Sequence, residues 1–415
     1  MNTSQKKIGI FVIGDIGRSP RMVNHAVEFA SMPKKRVEIV GLMETELPVQ
    51  LRKPNIDVLN LPTFYLNWLK KLPSILYLAL RIIIEFWILF YILFFKRFNQ
   101  YEIIFVQNPP AIPLLPVLFL YRLICKTPVH VDVHNFGYTL FQTKNLRLKL
   151  IMKALEVFFV RATSSKIYTV SKGMASILRT HWKAKNVEVL YDQPNQRIYK
   201  KLSLEEKHKF LLGIPEFRVS DKETILTQAN SANSSIERTF NNYLFVVSCS
   251  WSPDDNFPLL IDALQRYQAS DSSEKRNLIF VFTGTGPLKA YYGNILTNMN
   301  LKNVKVYLKW FTTEDYPKII ACADYGVSLH DSTSGFDLPI KILDYFGCQV
   351  PAIAYNYSET ISELVIPGQN GFLFKNADEL KAIFEQVANH KFKSDWNFKS
   401  KSWQDEWNSV VRANL

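Results

Sequence analysis

The chain has 415 residues, 47% of them apolar and 21% charged, which fits a protein with buried cores and excludes a globally disordered one. Its four cysteines lie far apart with no Cys-x-x-Cys, so neither a disulfide scaffold nor a structural zinc site is expected. The formal net charge is +13, and it is unevenly placed: residues 1–190 hold 26 Lys and Arg against 11 Asp and Glu, while residues 191–415 hold 24 against 26. The first half is therefore expected to meet something anionic, such as nucleic acid, phospholipid or a phosphorylated ligand.

The N-terminus is polar and opens onto a strand at residues 8–13, with no secretory signal expected. Further short apolar runs follow at 37–42, 103–106, 129–134, 167–170 and 187–190, alternating with helical patterns. The style returns at 244–248, 278–283, 304–307, 325–329 and 352–354. Strands alternating with helices predict an α/β protein of two doubly wound parallel-sheet domains facing a cleft. The expected boundaries are 1–192 for the first domain and 243–395 for the second. Residues 193–242 are polar, include TQANSANSS, and read as a linker and mobile insertion. A last helix within 396–415 is expected to return to the first domain.

Residues 75–95, ILYLALRIIIEFWILFYILFF, are long enough to span a bilayer. Arg81 and Glu85 sit inside this run, four apart on one helical face, and a central charge costs about 2.5–3.5 kcal/mol on insertion scales. Lys70, Lys71, Lys96 and Arg97 flank it, with Trp68, Tyr77, Trp87 and Tyr91 as interfacial aromatics. A buried helix of a large domain is one reading; a helix docked on an anionic membrane is the other, and the flanking cations favour it. A second apolar run, 111–124, is broken by Pro113 and Pro116. Nucleic acid is the weaker partner, because no recognition helix, zinc finger or RNP-type motif appears.

In doubly wound sheets ligands bind beyond the carboxyl ends of the strands, so the loops after strands carry the candidates. The first strand runs into Gly14-Asp15-Ile16-Gly17-Arg18-Ser19-Pro20-Arg21. Ser19 and Pro20 suit a helix start, and Gly14, Gly17, Arg18 and Arg21 suit an anion, although a plain tight turn fits the same residues. His134 closes VDVHNFGY at a strand end, where an imidazole suits a general base or a satisfied loop histidine equally. Ser250 lies in SCSWSPDDNF, whose Asp254 or Asp255 could cap a helix. Gly284 and Gly286 would let backbone approach a ligand, with Lys289 in the next helix's first turn. The densest cluster is LHDSTSGFDLPIK at 329–341: Ser334, Gly335 and Lys341 form a candidate phosphate cradle, and Asp337 a candidate sugar contact. Asp344, seven residues beyond Asp337 on one helix face, is a candidate ribose contact. No Asp-x-Asp occurs, so no metal held by such a pair is expected.

The motifs GDIGRSPRM, VQNPPAIP, VDVHNFGY, SCSWSPDDNF, GTGPLKAYY, EDYP and SGFDLPIKILDYFGC occur in this order along nearly the whole chain. Together they resemble the chitobiosyldiphosphodolichol β-mannosyltransferases. The resemblance implies a GT-B glycosyltransferase fold and inverting β-1,4 transfer of mannose from GDP-mannose to GlcNAc2-diphosphodolichol. It implies the cytosolic face of the endoplasmic reticulum membrane, a dolichol-linked diphosphate acceptor, and enzymes of the same pathway as partners. No resident cofactor is implied, and stimulation by a divalent cation stays open. Two features depart from the wider pattern. The transmembrane anchor that opens many eukaryotic members is not seen here. The paired glutamates of retaining GT-B enzymes are also lacking, since Phe336 falls where the first would stand if Asp344 is the second. For inverting transfer, His134 or Asp15 is nominated as base, and Lys289, Lys341, Ser334 and Gly335 for the donor diphosphate. The other readings are a GT-B transferase on another polyprenol or a phosphoinositide acceptor, and a non-catalytic membrane scaffold.

Overall fold

The computed structural model describes residues 6–63, 65–140, 145–230, 235–239, 241–269, 276–299, 301–389, 396, 398 and 401–415. The chain divides into two compact units, one reaching to Tyr191 and taking in Trp407–Leu415, the other Asp192–Glu406.

In the first unit seven strands form one parallel sheet: β1 (Lys7–Asp15), β2 (Val37–Leu42), β3 (Ile56–Asn60), β4 (Tyr101–Asn108), β5 (Val129–Val133), β6 (Lys166–Thr169) and β7 (Val187–Val189). Their order is β3-β2-β1-β4-β5-β6-β7. Ile10 lies beside Ile39 on one side and Phe105 on the other, all three buried. Helices cover both faces of such a sheet, so its strands are apolar runs rather than alternating ones. The sequence reading missed β3, whose IDVLN buries only Ile56 and carries little of that signal. Strand order reverses between β1 and β4, which puts the crevice expected to hold ligands at the loops after these two strands.

The helix Trp403–Val410 sends Trp407 edge-on against Phe29, with ring centroids 4.9 Å apart. The Trp407 indole Nε1 donates to His25 Nδ1 at 2.9 Å. This tail therefore completes the core of the first unit.

The long apolar run forms the helix Ser74–Tyr91, continued by a π turn over Ile92–Lys96. The span Leu76–Lys96 has a mean hydropathy of 2.2 and is long and apolar enough to cross a membrane, yet only 22% of its apolar window is buried in the protein. Its two central charges turn inward: Arg81 Nε donates to Glu85 Oε1 at 2.7 Å, and Arg81 Nη1 to the Tyr77 hydroxyl at 3.2 Å. Ile83, Trp87, Tyr91 and Phe95 are left exposed on the outer side. The helix Leu114–Cys125 packs against this one and tolerates Pro116 within its first turn. It buries Leu114, Leu118 and Tyr121 and exposes Leu120, Leu123 and Ile124. A third helix, Leu146–Thr163, packs on the second and exposes Leu146, Leu150, Ile151 and Phe158. Its apolar residues alternate with Arg147, Lys149 and Lys153, which hid it from a search for continuous apolar runs.

In the second unit, residues 193–242 differ from the expected linker and mobile insertion. A helix, Leu204–Leu212, starts in a capping box: Ser203 Oγ accepts from Glu206 N at 3.2 Å, and Glu206 Oε2 accepts from Ser203 N at 2.8 Å. Four short strands follow, β8 (Arg218–Ser220), β9 (Glu223–Thr224), β10 (Thr227–Ala229) and β11 (Ile236–Arg238), in an antiparallel sheet. Leu211, Phe217 and Leu226 bury themselves with Leu244, Val246 and Ile320, so the segment belongs to the core of this unit. Residues 231–234 of the TQANSANSS run lie outside the described residues. Six parallel strands complete the unit: β12 (Asn242–Ser248), β13 (Asn277–Thr283), β14 (Val304–Leu308), β15 (Tyr325–Ser328), β16 (Ala352–Tyr355) and β17 (Gly371–Phe374). Their order, β14-β13-β12-β15-β16-β17, repeats the first sheet's pattern, with its reversal between β12 and β15. The sequence reading also missed β17, since GFLF is a short run flanked by turn residues.

Candidate active site

The loops after β12, β13 and β15 meet in the second unit. After β12, Asp255 Oδ2 accepts from Ser250 N at 2.9 Å, Ser250 Oγ at 3.1 Å and Ser252 N at 3.4 Å. This carboxylate therefore closes its own loop; the side chain reaching the first turn of the helix Phe257–Ala269 is Asn256, which accepts from Leu259 N at 3.4 Å. The loop after β13 presses against it. A Cβ on Gly284 would stand 2.0 Å from the Cys249 carbonyl oxygen, and one on Gly286 1.9 Å from that of Ser250. The two glycines thus admit a neighbouring loop, where the sequence suggested a ligand. Lys289 Nζ donates to the Gly284 carbonyl at 3.2 Å. Burial and Asp255 push the Cys249 thiol up to about 12, against the pull of Lys341 and Lys289.

After β15 the segment 329–339 wraps around one carboxylate. Asp337 Oδ2 lies 3.1 Å from His330 Nε2, and its Oδ1 accepts from Ser334 Oγ at 2.9 Å and from Ser332 Oγ. Burial alone would raise Asp337, but these partners hold it below the ordinary carboxylate value. Gly335 has φ +78°, a conformation that favours glycine, and a Cβ there would meet nothing within 4 Å. Its amide donates to Ser332 Oγ at 2.8 Å. Ser334 and Asp337 thus belong to one internal network, and the phosphate cradle reduces to the uncapped start of the helix Ile340–Gly347 together with Lys341. The sequence reading assigns His330 no role; its signal is a position directly beyond the apolar strand, like that of His134.

Asp344 lies within this helix, beside Tyr199. Burial pushes it from 3.8 up to about 7, against Tyr199 and Lys341, which lower it. The folded state then holds a proton that the unfolded chain has released. Stability from this group is present at acid pH and is lost as pH rises toward 7. Asp344→Asn is expected to flatten that fall in a pH series of denaturation midpoints; an unaltered slope would exclude Asp344 as its source.

In the first unit the loop after β1 departs from a simple anion nest. Ser19 stands before the helix Pro20–Ser31, but its hydroxyl donates to the Asp15 carbonyl at 3.1 Å instead of capping. The Asp15 carboxylate accepts from Glu44 N at 3.0 Å, from Thr45 N at 3.2 Å and from the Thr45 hydroxyl. Burial raises its pKa, yet these bonds hold it below the ordinary value, so Asp15 anchors the 44–45 loop and is poorly suited to act as a base. Arg21 is also corrected: it is 3% exposed, and its guanidinium grips Asp132 through Nε at 2.8 Å and Nη2 at 2.9 Å. Arg18 remains outside, 74% exposed and 3.6 Å from Asp15. A Cβ on Gly14 would meet nothing within 4 Å, which leaves open space beside the strand end.

Asp132 is wholly buried and organises two histidines. His25 Nε2 lies 2.9 Å from its Oδ2, while His25 Nδ1 accepts from Trp407, which assigns the Nε2-protonated tautomer. Burial lowers the His25 pKa and keeps the ring neutral. His134, just beyond β5, places Nε2 3.2 Å from Asp132 Oδ2 and is 23% exposed. That approach is a charge contact without hydrogen-bond geometry, since His134 Nε2 is buried with no hydrogen-bond partner. Among the described residues no group of three His, Cys, Asp or Glu side chains gathers for a metal.

Two parallel-sheet units of one strand order, each with polar loops at its switch point, define a GT-B glycosyltransferase. The fold matches that of Anabaena HepE in complex with UDP and glucose, with a TM-score of 0.60 at 18% identity, covering 93% of this chain and 91% of that one. The family described as "Glycosyl transferases group 1" matches residues 241–390. The chitobiosyldiphosphodolichol β-mannosyltransferase of Candida glabrata is 35% identical over 98% of this chain and 89% of its own length. That of Dictyostelium discoideum is 30% identical over 92% and 84%. An Arabidopsis thaliana relative named UDP-glycosyltransferase TURAN is 34% identical over 89% and 86%. The chain belongs to the chitobiosyldiphosphodolichol β-mannosyltransferase family.

Proposed function

We propose that this enzyme moves mannose from GDP-mannose to GlcNAc2-diphosphodolichol in a β-1,4 linkage, with inversion, at the cytosolic face of the endoplasmic reticulum membrane. The observation that carries the reading is the polar cluster at the second unit's switch point, where Lys341, an uncapped helix start and Asp337 stand together in a chain of this family. Lys341, Lys289 and the first amides of the helix Ile340–Gly347 neutralise the leaving diphosphate. Ser250, Ser334, Gly335 and Asp337 shape the sugar side, and Asp344 takes ribose. His134 withdraws the acceptor's hydroxyl proton as that oxygen attacks the anomeric carbon. The bond to the diphosphate oxygen breaks, and its electron pair leaves with GDP.

Arg18, with the backbone at Gly14 and Gly17, is proposed to meet the acceptor diphosphate. The exposed apolar faces of the helices Ser74–Tyr91, Leu114–Cys125 and Leu146–Thr163, fringed by cations, suit an anionic membrane surface.

Lys341→Ala is expected to lower kcat about a hundredfold, the scale of one lost transition-state charge contact. A loss of only a few-fold would remove Lys341 from the diphosphate. The name of the Arabidopsis relative makes a uridine nucleotide the specific rival donor. Calorimetric titration is expected to find GDP bound at least tenfold tighter than UDP; the reverse order would discard GDP-mannose.

A further inference from the structure

The first unit holds a cavity of about 430 Å³ that none of the assigned residues uses. It opens at the switch point of the seven-stranded sheet. Ile13 at the end of β1 and Pro109–Ile112 beyond β4 form its inner side, with Leu78 and Ile82 on one wall and Met152 on another. Its walls are mostly aliphatic, and its volume falls in the range of about 300–1,000 Å³ usual for ligand sites. Glu156 builds the inner end. Its carboxylate accepts from Asn108 Nδ2 at 2.9 Å, Gly137 N at 2.9 Å and Tyr138 N at 3.0 Å, tying the loops after β4 and β5 to the helix Leu146–Thr163. The wall helix Ser74–Tyr91 turns Leu78 and Ile82 toward the cavity and Ile83 and Trp87 outward, so one apolar helix serves both the cavity and the outer apolar face.

We propose that this cavity holds the first isoprene units of the acceptor's polyprenyl chain, next to the diphosphate. This rests on the acceptor reading given above. Ile13 lines the cavity, and the next five residues bring Gly14, Gly17 and Arg18, whose guanidinium lies 3.6 Å from Asp15 yet stays 74% exposed. An apolar chain carrying an anionic head matches an apolar chamber followed by a loop that offers an exposed guanidinium. Arg81 and Glu85 in the wall neutralise each other and offer no rival head site. The Glu156 carboxylate at the inner end is engaged by protein, so the mostly aliphatic chamber recognises bulk apolar shape.

The test uses the full chain in detergent and tritiated farnesyl diphosphate in equilibrium dialysis. Wild type is expected to bind it at least tenfold tighter than inorganic diphosphate, and lysophosphatidylglycerol is expected not to displace it. Leu78→Trp and Met152→Trp, filling the cavity from two walls, should each weaken binding at least tenfold while GDP binding stays unchanged. Equal affinity for farnesyl and inorganic diphosphate, displacement by lysophosphatidylglycerol, or unchanged binding in both variants would overturn the proposal. The wild-type comparison decides the matter even if a variant fails to fold. Mannosyl transfer without farnesyl diphosphate binding sinks the cavity assignment alone. Binding without transfer sinks the acceptor reading instead.

Discussion

His134→Ala is expected to lower kcat by about 10²–10⁴, the usual range for a positioned general base. The geometry explains why this histidine and not Asp15 carries the effect. His134 keeps 23% exposure, with its Nε2 beside the Asp132 carboxylate, so the charge it gains on taking a proton has a fixed counter-ion. Asp15 is committed to Thr45 and Glu44 and held below the ordinary carboxylate value, so it is a weak acceptor of a proton at neutral pH. A loss of only a few-fold would remove His134 as the base.

Asp132→Ala is expected to destabilise the protein by about 3–5 kcal/mol, the scale for breaking a buried ion pair by removing one partner. The carboxylate is wholly buried, and its loss strands the Arg21 guanidinium and releases His25. His25 in turn accepts from Trp407, so the tail helix should loosen with it. Urea denaturation followed by tryptophan fluorescence measures the loss. A change under 1 kcal/mol would show that Arg21 finds another partner or water, and that the network is not a source of stability.

Much of the fold was legible because parallel strands covered on both faces are plain apolar runs. Phe105, Val131 and Phe280 are buried whichever way they face, so continuous hydrophobicity marks their strands. The four-stranded antiparallel sheet escaped because its strands are two or three residues long and mostly polar. The candidate loops were legible by position, since the segments before them do fold as the strands β1, β5, β12, β13 and β15. What the residues do there was less legible. Arg21 looks like an anion ligand in sequence, because Asp132 stands 111 residues away and only folding brings them together. Gly284 and Gly286 look like ligand glycines, because nothing local shows that another loop fills the space. The cavity escaped because its walls come from five separated segments, and VQNPPAIP and VDVHNFGY contribute only part of them.

The central claim is a mannosyl transfer, and one assay tests it most directly. Detergent-purified protein receives labelled GDP-mannose and GlcNAc2-diphospholipid, with UDP-glucose, UDP-GlcNAc and a one-sugar acceptor as controls. The expected result is transfer from GDP-mannose to the two-sugar acceptor, giving a product that β-mannosidase removes. Transfer from a uridine donor, or a product resistant to β-mannosidase, would contradict it.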